Sequence, residues 1–181
     1  MRILIIISLV LLITGCTNLY KPVSEWEKRV FDRSKFYVYP NDVRKDINSH
    51  KNTKVAWAGI INEVDIDESV VPALMHFVVE HHFFTWAIDG TTRQYWLSPR
   101  GEGSLMASWP MRPEWDLDEM RKLINKGDMV IVYGMPKSLG ADSLINLGQA
   151  SYIRHIPKTG FRTDMIEYGR LGEPTKVLSI F

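Results

Sequence analysis

Between Leu74 and Ile88 the apolar residues alternate, and then the alternation slips by one. Met75, Phe77, Val79, His81 and Phe83 share one face, but beyond Phe83 the apolar set moves to Phe84, Trp86 and Ile88. Each step along a strand flips the side chain, so a one-residue slip within one long strand predicts a bulge near His82. Asp89-Gly90 is a hairpin signal, Thr91–Ser98 is the returning strand, and Leu105–Trp109 continues it after an interruption. A chain with this pattern must build a long, bent hairpin.

The flanking segments complete the order. Lys54–Val64 is rich in β-formers and carries Gly59 at its middle, the mark of a bend or of a close approach by a neighbouring strand. Asp116 can cap a helix with Glu119 three residues on, Gly127 can stop it, and Leu117, Met120, Leu123 and Ile124 fall on one face. Met129–Met135 and Leu144–Ile156 are two further strands, each ended by proline. Three strands, a helix and two strands predict a mainly β domain with one helix: a five-stranded OB-like barrel, β-β-β-α-β-β. An open α+β sheet has the same order. The glycine in the first strand and the bulge in the second favour closure.

The first residues carry a different message. Met1-Arg2 is a short positive start, Ile3–Ile13 is apolar apart from Ser8, and Thr14-Gly15-Cys16 follows. This is the form of a secretory signal, and it falls short of the roughly 20 apolar residues that a spanning helix needs. Ile13-Thr14-Gly15-Cys16 resembles the bacterial lipobox. The resemblance implies cleavage before Cys16 and a covalent lipid on Cys16, with no other cofactor. Thr17 in place of aspartate resembles the Gram-negative pattern that sorts a lipoprotein to the outer membrane, facing the periplasm. Cys16 is the sole cysteine, so disulfides and thiolate metal sites are excluded. The expected organisation is a signal peptide over 1–15 and a lipidated N-terminus with a lead-in segment over 16–53. An OB-like domain over 54–157 and a tail over 158–181 follow. Within the lead-in, Ser24 and Glu27 have capping-box spacing before a short helix, Glu25–Phe31.

Asn-Thr-Lys-Val-Ala-Trp-Ala-Gly-Ile-Ile-Asn-Glu-Val at Asn52–Val64 is similar to the opening strand of the Slp-type outer-membrane lipoproteins. Gly-Asp-Met-Val-Ile-Val-Tyr-Gly at Gly127–Gly134 is similar to a later strand of that family. The resemblance implies a lipidated envelope protein with a small β-barrel domain, and it brings no catalytic residue.

Two segments hold candidate chemistry. In a regular strand His76, Glu80 and His82 share a face and can offer two imidazoles and a carboxylate to zinc, although the spacing is not that of the helical protease motif. The other reading is histidines at a wet rim. Ser98-Pro99-Arg100-Gly101-Glu102-Gly103 is a loop whose glycines admit close backbone approach. Arg100, Glu102 and the nearby Trp96 are its candidate contacts for a ligand or partner, and a tight structural turn is the alternative. Asp65, Asp67 and Ser69 mimic the start of a calcium loop, but Val70 and His76 stand where glycine and glutamate are required.

Lys and Arg number 22 against 21 Asp and Glu, and Arg2 leaves with the signal. A neutral chain argues against nucleic acid, which needs a basic face. The reading that results is a lipid-anchored, non-enzymatic envelope lipoprotein that binds a protein partner or a glycan. The alternative is a metal-dependent envelope hydrolase built on His76–His82.

Overall fold

The computed structural model describes residues 22–89 and 92–163. Cys16 and the signal-like segment lie outside the described residues, as do the Gly90-Thr91 turn and most of the tail. Among the described residues three short helices come first: α1 (Glu25–Phe31), α2 (Pro40–Lys45) and α3 (Ile47–His50). Then follow β1 (Val55–Asp67), β2 (Leu74–His81), β3 (Phe84–Asp89), β4 (Thr92–Leu97) and β5 (Ser104–Pro110). After α4 (Leu117–Leu123) come β6 (Met129–Gly134), β7 (Ser138–Leu139), β8 (Ile145–Gln149), β9 (Tyr152–Ile156) and β10 (Phe161–Arg162).

The protein is mainly β, with a mixed sheet and few helices. One sheet runs β7-β8-β5-β2-β1-β6-β9, and a second runs β10-β4-β3. Its pairs are antiparallel except β5 with β8 and, in the second sheet, β10 with β4. The sheet is not closed into a barrel, which corrects the expectation of closure. The physical reason lies in the last long run, which is broken at Ala150-Ser151. Ala150 donates its N–H to Ser108 on the β5 side, and Ser151 donates to Tyr133 on the β6 side. The run therefore splits into β8, which lies between β7 and β5, and β9, which ends the series beside β6.

The slip at His82 is likewise a break rather than a bulge. β2 stops at His81, and β3 and β4 leave the first sheet to form the second. The bulge in this region sits in β1 instead, where the register with β2 shifts between Ile61 and Glu63. Gly59 lies in the tight stretch before it. A Cβ at Gly59 would sit 2.1 Å from the Glu80 carbonyl oxygen, so only glycine lets β1 and β2 pair there.

The first half of β1 and all of β6 are buried on both faces, as an unbroken apolar run requires. Val55, Trp57, Ile61, Val130 and Val132 enter one core with Met75, Phe77, Val79, Leu105 and Leu147. Ala56, Ala58, Met129, Ile131 and Tyr133 enter a second core with Tyr95 and Leu97 of β4, against which Val30, Phe31 and Phe36 pack. Each large buried side chain contributes about 1.5–3 kcal/mol. The stretch expected to lead into the domain is itself part of it. Val38 and Val43 belong to the first core, and the Val38 carbonyl accepts the Trp57 indole N–H at 2.8 Å.

Helix α4 follows its sequence signals. Asp116 caps it by accepting from the N–H groups of Asp118 and Glu119. Ile124 is buried and Leu117 and Met120 pack on the core, but Leu123 is exposed.

Candidate functional site

The loop Ser98–Gly103 lies across the break between β2 and β3, and each supplies what the other lacks. Where the ladder stops, backbone groups are left that burial would make costly. His81 donates its N–H to Gly103, Phe83 donates to Arg100, and Ser98 donates to Phe83. The His82 N–H goes to Ala58 on β1. Two imidazoles finish the seam. His81 Nδ1 accepts the Glu102 N–H at 3.0 Å, and His82 Nδ1 donates to the Ser98 carbonyl at 2.8 Å. Adjacent histidines are thus held with opposite nitrogens protonated. His82 Nε2 is buried and has no hydrogen-bond partner among the described residues.

Gly101 makes the seam possible, since a Cβ there would lie 1.6 Å from the His81 carbonyl oxygen. Gly103 has φ of +70°, a backbone that glycine adopts without strain.

Beside the loop opens a cleft of about 630 Å³, lined by Arg44, Glu102, Gly103, Ser104 and Asp142 among others. Its charged walls are committed to architecture. The Glu102 side chain is buried, and one carboxylate oxygen accepts the Asn41 N–H at 2.9 Å, near the start of α2. Arg44 of α2 spreads its guanidinium over three backbone carbonyls. It reaches Glu102 at 2.5 Å, Ser104 at 3.0 Å and Ser143 at 2.9 Å. Burial pushes the Arg44 guanidinium below its ordinary value, with the Glu102 carboxylate acting the other way.

The three expected contact residues lie on β4 and on the loop that follows it. Arg100 is exposed, and its N–H goes to the Ser98 hydroxyl. Trp96 stands in the second sheet, paired in register with Thr85 and Arg162. Glu102 alone lines the cleft. Arg44, which does most to shape it, carries no local sequence signal beyond its place in a proline-started helix.

The zinc candidates are separated. His76 and Glu80 share the outer face of β2, four residues apart and so roughly 13 Å along the strand. His82 lies past the strand end, turned to Ser98. Among the described residues no group of three or more His, Cys, Asp or Glu side chains can hold a metal ion. The hydrolase alternative loses its constellation. Asp67 accepts from both the N–H and the hydroxyl of Ser69, forming a local turn.

Two other buried carboxylates escape sequence reading. Glu27 is fully buried and accepts from Tyr133 Oη at 2.9 Å, Arg154 Nη1 at 3.1 Å and the Val23 N–H at 2.8 Å. Ser24 Oγ accepts the Glu27 N–H, the cap that the spacing predicts. Asp128 accepts from His155 Nε2 and from the N–H groups of Asn125 and Lys158. Burial alone would raise the Asp128 carboxyl, but the His155 ring and the two N–H groups outweigh it and hold it below the ordinary value.

Neither a family model nor a curated protein matches the chain. Among solved structures it is similar to Rim1, the mitochondrial single-stranded DNA-binding protein of S. cerevisiae. Identity is 14% over 58% of this chain and 94% of that one, with a TM-score of 0.37. It is similar to a small single-stranded DNA-binding protein of Streptomyces coelicolor at 16% identity, covering 56% and 90% of the two chains, TM-score 0.34. The S. pombe Stn1-ten1 complex gives 16% identity, 57% of each chain and a TM-score of 0.33. Two of these three structures are of single-stranded DNA-binding proteins, and the expected exclusion of nucleic acid in favour of a protein or glycan ligand is withdrawn. That exclusion rested on net charge, which averages over a surface and does not describe any one face. At these identities and scores the likeness carries no ligand or site residue onto this chain.

Proposed function

We propose that this chain is an envelope lipoprotein whose small β domain is held at a membrane by lipid on Cys16. The observation that carries this is Ile13-Thr14-Gly15-Cys16 at the end of a signal-length apolar run, in a chain with no other cysteine. Several acyl chains, each CH₂ contributing about 0.8 kcal/mol, anchor a protein stably. Among the described residues no helix is long and apolar enough to cross a membrane. Thr17 directs the protein to the outer membrane, facing the periplasm, as a relative of the Slp-type lipoproteins. The domain has an OB-like strand order in which β1, β2 and β5 are followed by α4, β6 and a last strand split into β8 and β9. The parallel pairing of β5 with β8 supports that order.

The test compares wild type with Cys16→Ala in a Gram-negative host. Wild type incorporates labelled palmitate, partitions into detergent and fractionates with the outer membrane. Cys16→Ala stays unlabelled and uncleaved. Equal labelling and partitioning of the two proteins overturns the reading.

A further inference from the structure

We propose that Val23–Tyr37 is a membrane-docking surface, which seats Trp26 and Tyr37 in the headgroup layer of an anionic bilayer beside the lipid on Cys16. The proposal rests on the lipid anchor argued above. Trp26 is 60% exposed, Tyr37 63% and Val23 51%, in a protein that buries Trp57 and Tyr133 almost completely. Tryptophan and tyrosine favour the bilayer interface, where the ring body is shielded and the polar tip stays wet. Each exposed ring carries its own cation. The Arg29 guanidinium lies 5.6 Å from the Trp26 ring centre, and the Lys35 ammonium 5.7 Å from that of Tyr37.

Charge and reach select the occupant. The exposed ionic groups of the segment are Lys28, Arg29, Arg33 and Lys35 against Glu25 and Asp32, while Glu27 is buried against Arg154. The outward face is therefore positive, which suits anionic lipid headgroups. Val23 is seven Cα–Cα steps from Cys16, a span of at most about 25 Å when fully extended. The lipid thus keeps this segment within reach of the headgroups. The segment is also held in place on the domain. Glu27 fixes α1 from beneath, Phe31 and Phe36 stack with centroids 4.4 Å apart, and Lys35 bridges to Val55 at the start of β1. Val71 is 99% exposed but lies beyond the end of the 13-residue β1 that is opposite the Lys35 bridge.

Because lipid consumes the Cys16 thiol, one introduced cysteine is the only free thiol in the mature protein. Full-length lipidated Val23→Cys and Val71→Cys are labelled with a polarity-sensitive fluorophore. They are placed in vesicles of phosphatidylethanolamine and phosphatidylglycerol, with pure phosphatidylcholine for comparison. Intact mass on the same samples reports acylation. The expected result is a blue shift and severalfold stronger quenching by nitroxide lipids at position 23 than at 71. The quenching is larger with phosphatidylglycerol and is lost in the Trp26→Ser/Tyr37→Ser background. Acylated protein with equal quenching at 23 and 71, or quenching at 23 that survives the double substitution, overturns docking and leaves the anchor standing. Drying at 23 that needs protein concentration but no vesicles assigns the face to a second copy and overturns docking. Absence of acylation overturns both proposals.

Discussion

Glu27 and Glu102 are both buried carboxylates that fasten the N-terminal segment to the sheets, and they do it by different chemistry. Glu27 meets opposite charge directly. Its carboxylate binds the Arg154 guanidinium of β9 and the Tyr133 hydroxyl of β6, and so ties α1 to two strands. Glu102 binds the Asn41 N–H, while the neighbouring cation, Arg44, spends its hydrogen bonds on the carbonyls of Glu102, Ser104 and Ser143. The first attachment is a desolvated ion pair. The second is a seam of backbone groups in which side chains fill the places that strand pairing left empty. An ion pair of the first kind fails badly when one partner is lost, because the other is left charged in a buried place. A seam loses one bond at a time.

The largest expected effect follows from that contrast. Glu27→Ala leaves Arg154, which is 13% exposed, without its carboxylate. It should lower stability by about 3–5 kcal/mol in urea denaturation. Glu27→Ala combined with Arg154→Met should recover a good part of the loss. A Glu27→Ala protein within about 1 kcal/mol of wild type would remove the distinction between the two attachments.

Next comes the seam at its tightest point. Gly101→Ala forces a methyl against the His81 carbonyl, where the Cβ would otherwise lie 1.6 Å from the oxygen. The loop or the end of β2 must move, at about 1–3 kcal/mol. Gly140→Ala is the control, since a Cβ there meets its nearest atom at 3.6 Å. Equal melting temperatures for the two variants would show that the seam adapts.

These same regions show what a sequence can and cannot reveal. The slip in alternation at His82 marked the position of a real discontinuity, because side-chain phase is a local property. It did not show that β3 and β4 would leave for a second sheet, because the partner of β4 is β10, over sixty residues along the chain. The caps at Ser24 and Asp116 were legible for the same local reason. Glu27 could be read as the far half of a capping box, but its charged partner is 127 residues away. Gly148, two residues before Ala150-Ser151, has φ of +61° and marks where the long β-run divides between two neighbours, a signal that the reading of one continuous strand passed over. Arg100 drew notice as the only cation in a glycine loop, whereas the cation that organises the loop, Arg44, sits in a helix 58 residues upstream of Glu102. Local geometry was readable; the choice of non-local partner was not.

A smaller effect tests the side-chain half of the seam. Arg44→Lys keeps the charge but loses the planar fork that reaches separate carbonyls. It should cost about 1–2 kcal/mol as buried carbonyls lose charged donors. Glu102→Gln should cost less, since a glutamine oxygen still accepts the Asn41 N–H. If Glu102→Gln proves the worse of the two, the seam depends on the carboxylate charge and resembles the Glu27 attachment after all.

Asp128 lies between the two kinds, with one histidine side chain and two backbone N–H groups on its carboxylate. Its effect is the smallest at neutral pH and the most informative in acid. The carboxyl is held below the ordinary value of 3.8 in the folded protein. It therefore ionises more readily folded than unfolded, and the stability that it adds is fully present above that value. The contribution is lost as pH falls through the lower, folded-state value. Asp128→Asn removes this dependence while keeping the side-chain shape. The melting temperature of wild type should exceed that of Asp128→Asn by a constant margin above about pH 5, and the margin should shrink on further acidification. Were the backbone N–H groups alone responsible for holding the carboxyl down, removing the imidazole N–H in His155→Phe would leave the wild-type acid profile unchanged. If the ring shares the role, the same substitution narrows the pH range over which stability falls. A margin between wild type and Asp128→Asn that stays constant into strong acid would show that the carboxylate is not charge-stabilised, and Asp128 would act through hydrogen-bond geometry alone.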